Sequence, residues 1–313
     1  MRAGKLAALA TVAAAVLARP ATSLADEPLP RPPPEAGEPV TLPDTSTPTT
    51  APPDPASTEA DQPHTSYWQG GATRTFVATT IDAGYLYLRP RLSLGYGKPF
   101  YRWVGVDVNP VAYNRYLAGY GGLRFALPLV DLRVGGRYVW ALQQSYLKPI
   151  DHYHRLDLES QDLGRSKYVS LEAELTAGLP LGPGAVIAVA SASVFSGVPE
   201  GAYVYDETLR VIVDRSVWRG RLGYAARLGV EGKVSVGVVA DVLGLPGRDE
   251  YVLRAGVIAS AALSDHWEVL GSFIPPLISP DSIGIRGGDF AQLGVRYRWA
   301  SGSPPEVVKE EWQ

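Results

Sequence analysis

GYLYLRPRLSLGYG, residues 84–97, sets two arginines in the middle of a segment that otherwise reads as a β-strand. Side chains alternate across a strand, so the segment has two faces. Leu86, Leu88, Leu92 and Leu94 share one, interrupted by Pro90. Tyr85, Tyr87, Arg89, Arg91 and Ser93 share the other. A soluble sheet would bury the leucines in its core and wet the arginines. A membrane barrel would turn the leucines to lipid and the arginines into a lumen. The remainder of the chain decides between them.

The chain opens with Met1, Arg2 and Lys5, then an apolar run from Leu6 to Ala18, then Ser23-Leu24-Ala25 before Asp26. A basic head, a short apolar run and a small-x-small site predict a secretory signal peptide over residues 1–25. No cysteine occurs anywhere, so neither disulfides nor a lipidated cysteine are expected in this exported chain. No later segment is apolar over the ~18 residues that mark a membrane helix. Loss of Arg2, Lys5 and Arg19 with the leader moves the formal charge from −3 to −6. That acidity argues against a nucleic-acid partner. Twelve of the residues in 26–66 are proline, mixed with Thr, Ser, Asp and Glu. Such a composition cannot bury a core and predicts a disordered, extended periplasmic linker over residues 26–72. It reads as a spacer, or as an arm that touches the cell wall.

From Thr73 the chain repeats one theme: two-faced segments punctuated by Gly, Pro and Asp. The segments fall near 74–81, 84–97, 101–110, 114–127, 131–144, 167–179, 185–196, 217–230, 233–243, 250–263, 266–275 and 289–299. Short turns at 128–130, 181–184, 231–232 and 264–265 alternate with longer loops near 145–166, 197–216, 244–249 and 276–288. Short turns on one side and long loops on the other are the habit of outer-membrane barrels. The reading is therefore all-β: an antiparallel up-and-down transmembrane β-barrel over residues 73–300, with residues 301–313 as a periplasmic tail. Twelve strands place both ends in the periplasm; ten result if 74–81 pairs otherwise. Along 131–142, Leu132, Val134, Tyr138, Trp140 and Leu142 oppose Arg133 and Arg137. Along 217–230, Leu222, Tyr224, Ala226, Leu228 and Val230 oppose Arg219, Arg221 and Arg227.

The last segment carries a motif. Gln292, Gly294, Tyr297 and Trp299 fit the order polar, x, Gly, x, x, aromatic, x, aromatic. This resembles the terminal signal of bacterial outer-membrane β-barrel proteins. The resemblance implies a Gram-negative outer membrane, lipid around the wall, and the barrel-assembly machinery as a partner. The chain departs from the pattern by continuing with SGSPPEVVKEEWQ.

Inward parity collects Arg89, Arg91, Arg124, Arg133, Arg137, Arg219, Arg221, Arg227, Arg254, Arg296 and Arg298 against Asp107, Glu172, Glu174, Asp241 and Glu268. An excess of about six positive charges inside a chain of net −6 predicts a lumen that favours anions. In size and lining it looks like narrow anion-selective twelve-stranded porins for acidic sugars, which implies small solutes or acidic oligosaccharides. The same residues could instead pair and fill a plugged structural barrel that anchors the arm. For an outer-membrane hydrolase the candidates are Asp151, His152 and His154 in the long loop; no nucleophile or carboxylate pair accompanies them by spacing. His266 sits at a turn and reads as structural. Gly95-Tyr96-Gly97 has no helix after it and is no phosphate loop. No catalytic constellation, metal site or cofactor is expected.

Overall fold

The computed structural model describes residues 67–70, 72–84, 87–113, 115–159, 163–229, 232–290 and 293–302. The expected signal peptide, nearly all of the proline-rich arm, Gln292 and the tail beyond Gly302 lie outside them. The chain is all-β and antiparallel. It runs through β1 (Arg74–Gly84), β2 (Tyr87–Lys98), β3 (Arg102–Tyr113), β4 (Tyr116–Ala126), β5 (Val130–Ser145), β6 (Arg165–Leu181) and β7 (Gly184–Ser196). A short hairpin follows, β8 (Val204–Asp206) and β9 (Val211–Val213). Then come β10 (Ser216–Leu228), β11 (Val234–Leu245), β12 (Glu250–Ala262), β13 (Trp267–Ile274), β14 (Pro276–Ile278), β15 (Asp289–Phe290) and β16 (Gly294–Ala300).

Twelve of these strands close on themselves. Each pairs with the next in order, β7 with β10 across the hairpin, and β13 with β16. β1 then pairs β16 from Ala78 opposite Ala300 to Gly84 opposite Gly294, which seals the ring. Closure satisfies the backbone donors and acceptors that an open sheet edge would leave facing hydrocarbon. The least secure segment of the sequence reading, 74–81, is thus a full strand. It also runs further than expected: Asp82-Ala83-Gly84, which the reading left as the separation between the first two segments, completes β1.

The outside is apolar at mid-height. Leu88, Leu92 and Leu94 are exposed, as are Val106, Leu117, Leu123, Val134, Leu222, Val238 and Val257. Exposed aromatics gather at both rims: Tyr96, Phe125, Trp267 and Trp299 toward the end with the short turns, Tyr138, Trp140, Tyr251 and Phe273 toward the other. An exterior of this kind suits lipid and not water. The opening arginines stand on the opposite face, so the barrel, not the soluble sheet, is the fold. The chain is a closed, twelve-stranded transmembrane β-barrel. Among the described residues no helix is long and apolar enough to span a bilayer.

Three features depart from the sequence reading. First, the loop after β7 is not all irregular: all six residues of the β8–β9 hairpin are buried. Val204, Val211 and Val213 pack with Val111, Tyr116, Val139, Tyr168, Phe195, Leu243 and Val252, which are inward side chains of seven wall strands. The hairpin therefore fills the upper lumen with a dry core. Second, the segment read as 289–299 is broken. Pro275 and Pro276 end β13; the chain leaves as β14 along β12, then returns as β15 against Ile274 and Phe273 before β16 starts at Gly294. Proline offers no donor to continue a ladder, which is why the strand stops there. Third, Tyr67–Gly70, counted with the arm, is a helical turn, α1. Its Trp68 is buried with Phe76, Trp103 and Ala300 at the short-turn end. Gly95 and Gly97 make room for Trp103: a Cβ at Gly95 would stand 2.6 Å from its ring, and Gly97 has φ of +137°. The Gly-x-Gly pair serves packing.

Candidate functional site in the barrel lumen

Alternation alone would aim the inward arginines at one another. What they meet is a set of carboxylates, one group per sector of the wall. At the seam, Asp82 on β1 lies between strands that carry Arg89 on β2 and Arg296 on β16. Arg89 Nη2 donates to Asp82 at 2.9 Å and Arg296 Nε at 2.6 Å. Glu268 extends this sector, pairing with Arg298 at 2.7 Å and with Arg296 at 3.5 Å. Lower on β3 to β5, Arg124 bridges Asp107 at 3.3 Å and Asp131 at 2.8 Å, while the Ser93 hydroxyl donates to Asp107 at 2.5 Å. Arg133 meets Glu174 at 3.2 Å and Arg137 meets Glu172 at 2.7 Å.

On the far wall, Asp241 is fully buried and receives Arg219 at 2.6 Å, Arg221 at 3.1 Å and Arg254 at 3.7 Å. Asp289 of β15 joins them, 2.6 Å from Arg221 and 3.5 Å from Arg219. Arg254 is 1% exposed, and its Nη2 donates to the carbonyls of Leu209 and Arg210 in the hairpin turn. That arginine anchors the hairpin and does not face open lumen. Asp107 and Asp241 are likewise sealed beneath the arginines that hold them.

The inward charge is therefore smaller than the sequence count. Asp82, Asp131 and Asp289 were missed there, the first because it fell between the first two segments and the last because an unbroken strand over 289–299 would have turned it outward. Two arginines stay apart. Among the described residues Arg91 and Arg227 have no carboxylate within ion-pair distance and no side-chain hydrogen bond. Arg227 is exposed. The Nε of Arg91 is buried and unpartnered.

Two cavities lie below the hairpin. One, of about 400 Å³, is lined by Arg221, Arg227 and Arg296 with Glu268 and Asp289. The other, of about 270 Å³, is lined by Arg89, Arg91, Arg133, Arg137, Arg219 and Arg221 against Glu172, Glu174 and Asp289. Six guanidinium groups face three carboxylates, so this second chamber is electropositive. Low-dielectric walls concentrate such a field on whatever enters.

The hairpin that roofs the chambers is tied down at its tip. Asp206 accepts from the backbone N–H groups of Thr208 and Leu209 and from the Tyr168 hydroxyl. Arg137 donates to the Thr208 hydroxyl at 2.5 Å, Gln144 donates to Glu207, and Tyr205 donates to the Arg286 carbonyl at 2.7 Å. Burial pushes the carboxyl of Glu207 above its ordinary range, against the nearby Arg210, Arg286 and Arg115.

Above the hairpin, the loops after β5 and β14 clasp each other. Arg248, on the loop after β11, pairs with Asp281 at 2.6 Å, both nearly buried. His152 Nδ1 donates to the Pro280 carbonyl, and its Nε2 accepts from the Ser282 hydroxyl at 3.0 Å. Sequence spacing could not show that Ser–His contact, since 130 residues separate the two. Neither ring nitrogen meets a carboxylate; His154 stacks edge-on to His152 and Asp157 accepts from its backbone N–H. The trio Asp151, His152 and His154 thus belongs to a loop clasp. His266 donates from Nδ1 to the Arg298 carbonyl at 2.7 Å, beside Trp68, at the short-turn end. Among the described residues no group of three or more His, Asp or Glu side chains is set to hold a metal.

Three residues of the terminal motif, Gly294, Tyr297 and Trp299, lie on β16. Gly294 is buried beside Tyr87, while Tyr297 and Trp299 point outward, Tyr297 packing 4.8 Å from Trp267.

No family model matches the chain, and neither does any curated protein. Among solved structures it is similar to the KdgM porin, at 6% identity and a TM-score of 0.35 over 72% of this chain and 96% of that one. It is also similar to the NanC porin, at 9% and 0.34 over 73% and 98%, and to BamA from Haemophilus ducreyi, at 9% and 0.36 over 72% and 70%. Likeness at this level reflects the common geometry of closed antiparallel barrels and carries nothing about solute or partner.

Proposed function

We propose that this outer-membrane barrel is a narrow, anion-leaning diffusion channel for small solutes, closed at its outer mouth by the β8–β9 hairpin. The observation that carries the reading is the chamber whose wall sets six arginines against three carboxylates. A guanidinium keeps its charge at any physiological pH, so such a wall repels cations and admits anions without titrating. The arginines already paired contribute shape and hydration; the unpaired Arg91 and Arg227 contribute the surplus. The reading assigns no catalysis to the chain.

A second reading rests on the hairpin itself. Its six buried residues join an apolar core shared with the wall, which favours a barrel that is permanently plugged and serves to anchor the proline-rich arm. Planar-bilayer recordings in salt gradients separate the two, using the full chain and a variant with residues 202–214 replaced by a short Gly-Ser linker. The channel reading expects the shortened variant to conduct with a reversal potential on the anion side. If both proteins are silent while folded, the anchoring barrel stands.

A further inference from the structure

We infer that Arg91 is the centre of a binding site for one small oxyanion, a phosphate, sulfate or carboxylate group, held in the smaller chamber. The inference deepens the channel reading by naming the group the lumen holds, and it concerns binding, which needs no conduction.

The argument starts from the backbone. Pro90 on β2 and Pro110 on β3 face each other, and neither has an N–H to give. The ladder between the strands is accordingly interrupted from Leu88–Ala112 to Leu92–Val108. Asn109 covers the gap: with its amide turned so that the nitrogen faces them, it donates to the carbonyls of Pro90 at 2.9 Å and Pro110 at 3.2 Å, the orientation that satisfies both ends of the group. Arg91 emerges from this break into the chamber.

Every paired wall arginine has a carboxylate on an adjacent strand or on β15. Arg91 has none. The charges that act on it most are the cations Arg124, Arg133 and Arg89 and the carboxylate of Asp107. Asp107 is already held by Arg124 and Ser93 and is sealed. Arg133 leans over the ring of Tyr120 at 5.2 Å; Tyr120 is 4% exposed, lines the same chamber, and its hydroxyl has no partner. A half-buried cation among cations, with its Nε sealed from solvent, is costly unless an anion answers it. The planar fork of a guanidinium matches the paired oxygens of an oxyanion better than it matches a spherical halide. The volume, about 270 Å³, admits such a group and excludes a long polymer lying whole within it.

Solubilised, folded full-length protein tests the site. Isothermal calorimetry and thermal unfolding would be followed against sodium sulfate, inorganic phosphate and sodium acetate, with sodium chloride at matched ionic strength as reference. The expected result is saturable binding of at least one oxyanion to the wild type, with a raised unfolding midpoint that chloride does not reproduce. Arg91→Gln should weaken that binding at least tenfold. Arg91→Lys, which keeps the charge and loses the fork, should weaken it less. Arg227→Gln, in the other chamber, should leave it unchanged. The ratio of sulfate and phosphate to acetate affinity tells an inorganic anion from a carboxylate. No saturable binding to the wild type, or equal binding to Arg91→Gln, overturns the inference. A protein that binds and does not conduct keeps this site and loses the channel; one that conducts without binding does the reverse.

Discussion

Asp241→Asn is the perturbation whose cost the structure lets one work out. The substitution keeps the volume and one acceptor oxygen while removing the charge. Arg219 and Arg221 retain Asp289 at 3.5 and 2.6 Å. Arg254 does not: Asp241, at 3.7 Å, is its one carboxylate among the described residues, and Arg254 is 1% exposed. The loss therefore concentrates on one buried guanidinium left with two neutral carbonyls, those of Leu209 and Arg210. Removing one partner of a buried ion pair costs about 3–5 kcal/mol. At a factor of ten per 1.4 kcal/mol, that is roughly a 10²- to 10⁴-fold loss in the folding equilibrium. With a slope of about 2 kcal/mol per molar urea, the midpoint should fall by about 2 M. The assay is urea unfolding of the barrel in lipid vesicles, read by tryptophan fluorescence and checked by heat-modifiable migration on gels.

The double variant Asp241→Asn with Arg254→Met removes the stranded charge and leaves an apolar chain in its place. It should regain about half of the loss, the remainder reflecting the two hairpin carbonyls left without a donor, at about 1–3 kcal/mol between them. An unchanged midpoint in Asp241→Asn refutes the reasoning, because Arg254 would then draw its compensation from elsewhere. A double variant no better than the single one refutes it equally.

Two further outcomes are expected. Replacing Tyr297 and Trp299 together by alanine should reduce insertion into the outer membrane, measured by fractionation, while deletion of residues 301–313 leaves it largely intact; equal loss in both would remove the assembly role proposed for the β16 motif. Glu207 makes the hairpin sensitive to pH. Its carboxyl is raised in the folded state, first by burial, so its contribution to docking is fully present below the ordinary carboxylate range and fades as pH rises through the raised value. Protease cleavage within residues 202–214 should therefore slow as pH falls through that range, and Glu207→Gln should abolish the dependence.

The class of this protein was legible in residues 84–97 and their repetition. Leu88, Leu92 and Leu94 against Arg89 and Arg91 is a period of two, set by the pleat of a single strand, and no neighbour is needed to see it. The same holds for Arg133 and Arg137, for Arg219 and Arg221, and for the alternation of short turns with long loops. The partners of those arginines were not legible, because pairing depends on which strand lies alongside and in what register. Asp82 fell between two segments until closure of β1 on β16 set it beside Arg296, 214 positions away. Asp289 looked outward-facing until the break after β15 changed the phase of the chain, since one residue of slip exchanges the two faces of a strand. The hairpin at Val204–Val213 read as loop because three-residue strands are too short to show a period, and only the enclosing wall supplies the apolar surface that buries them. Alternation is a property of one strand; whether a lumen is paired, roofed or open is decided by contacts between residues that the chain itself keeps far apart.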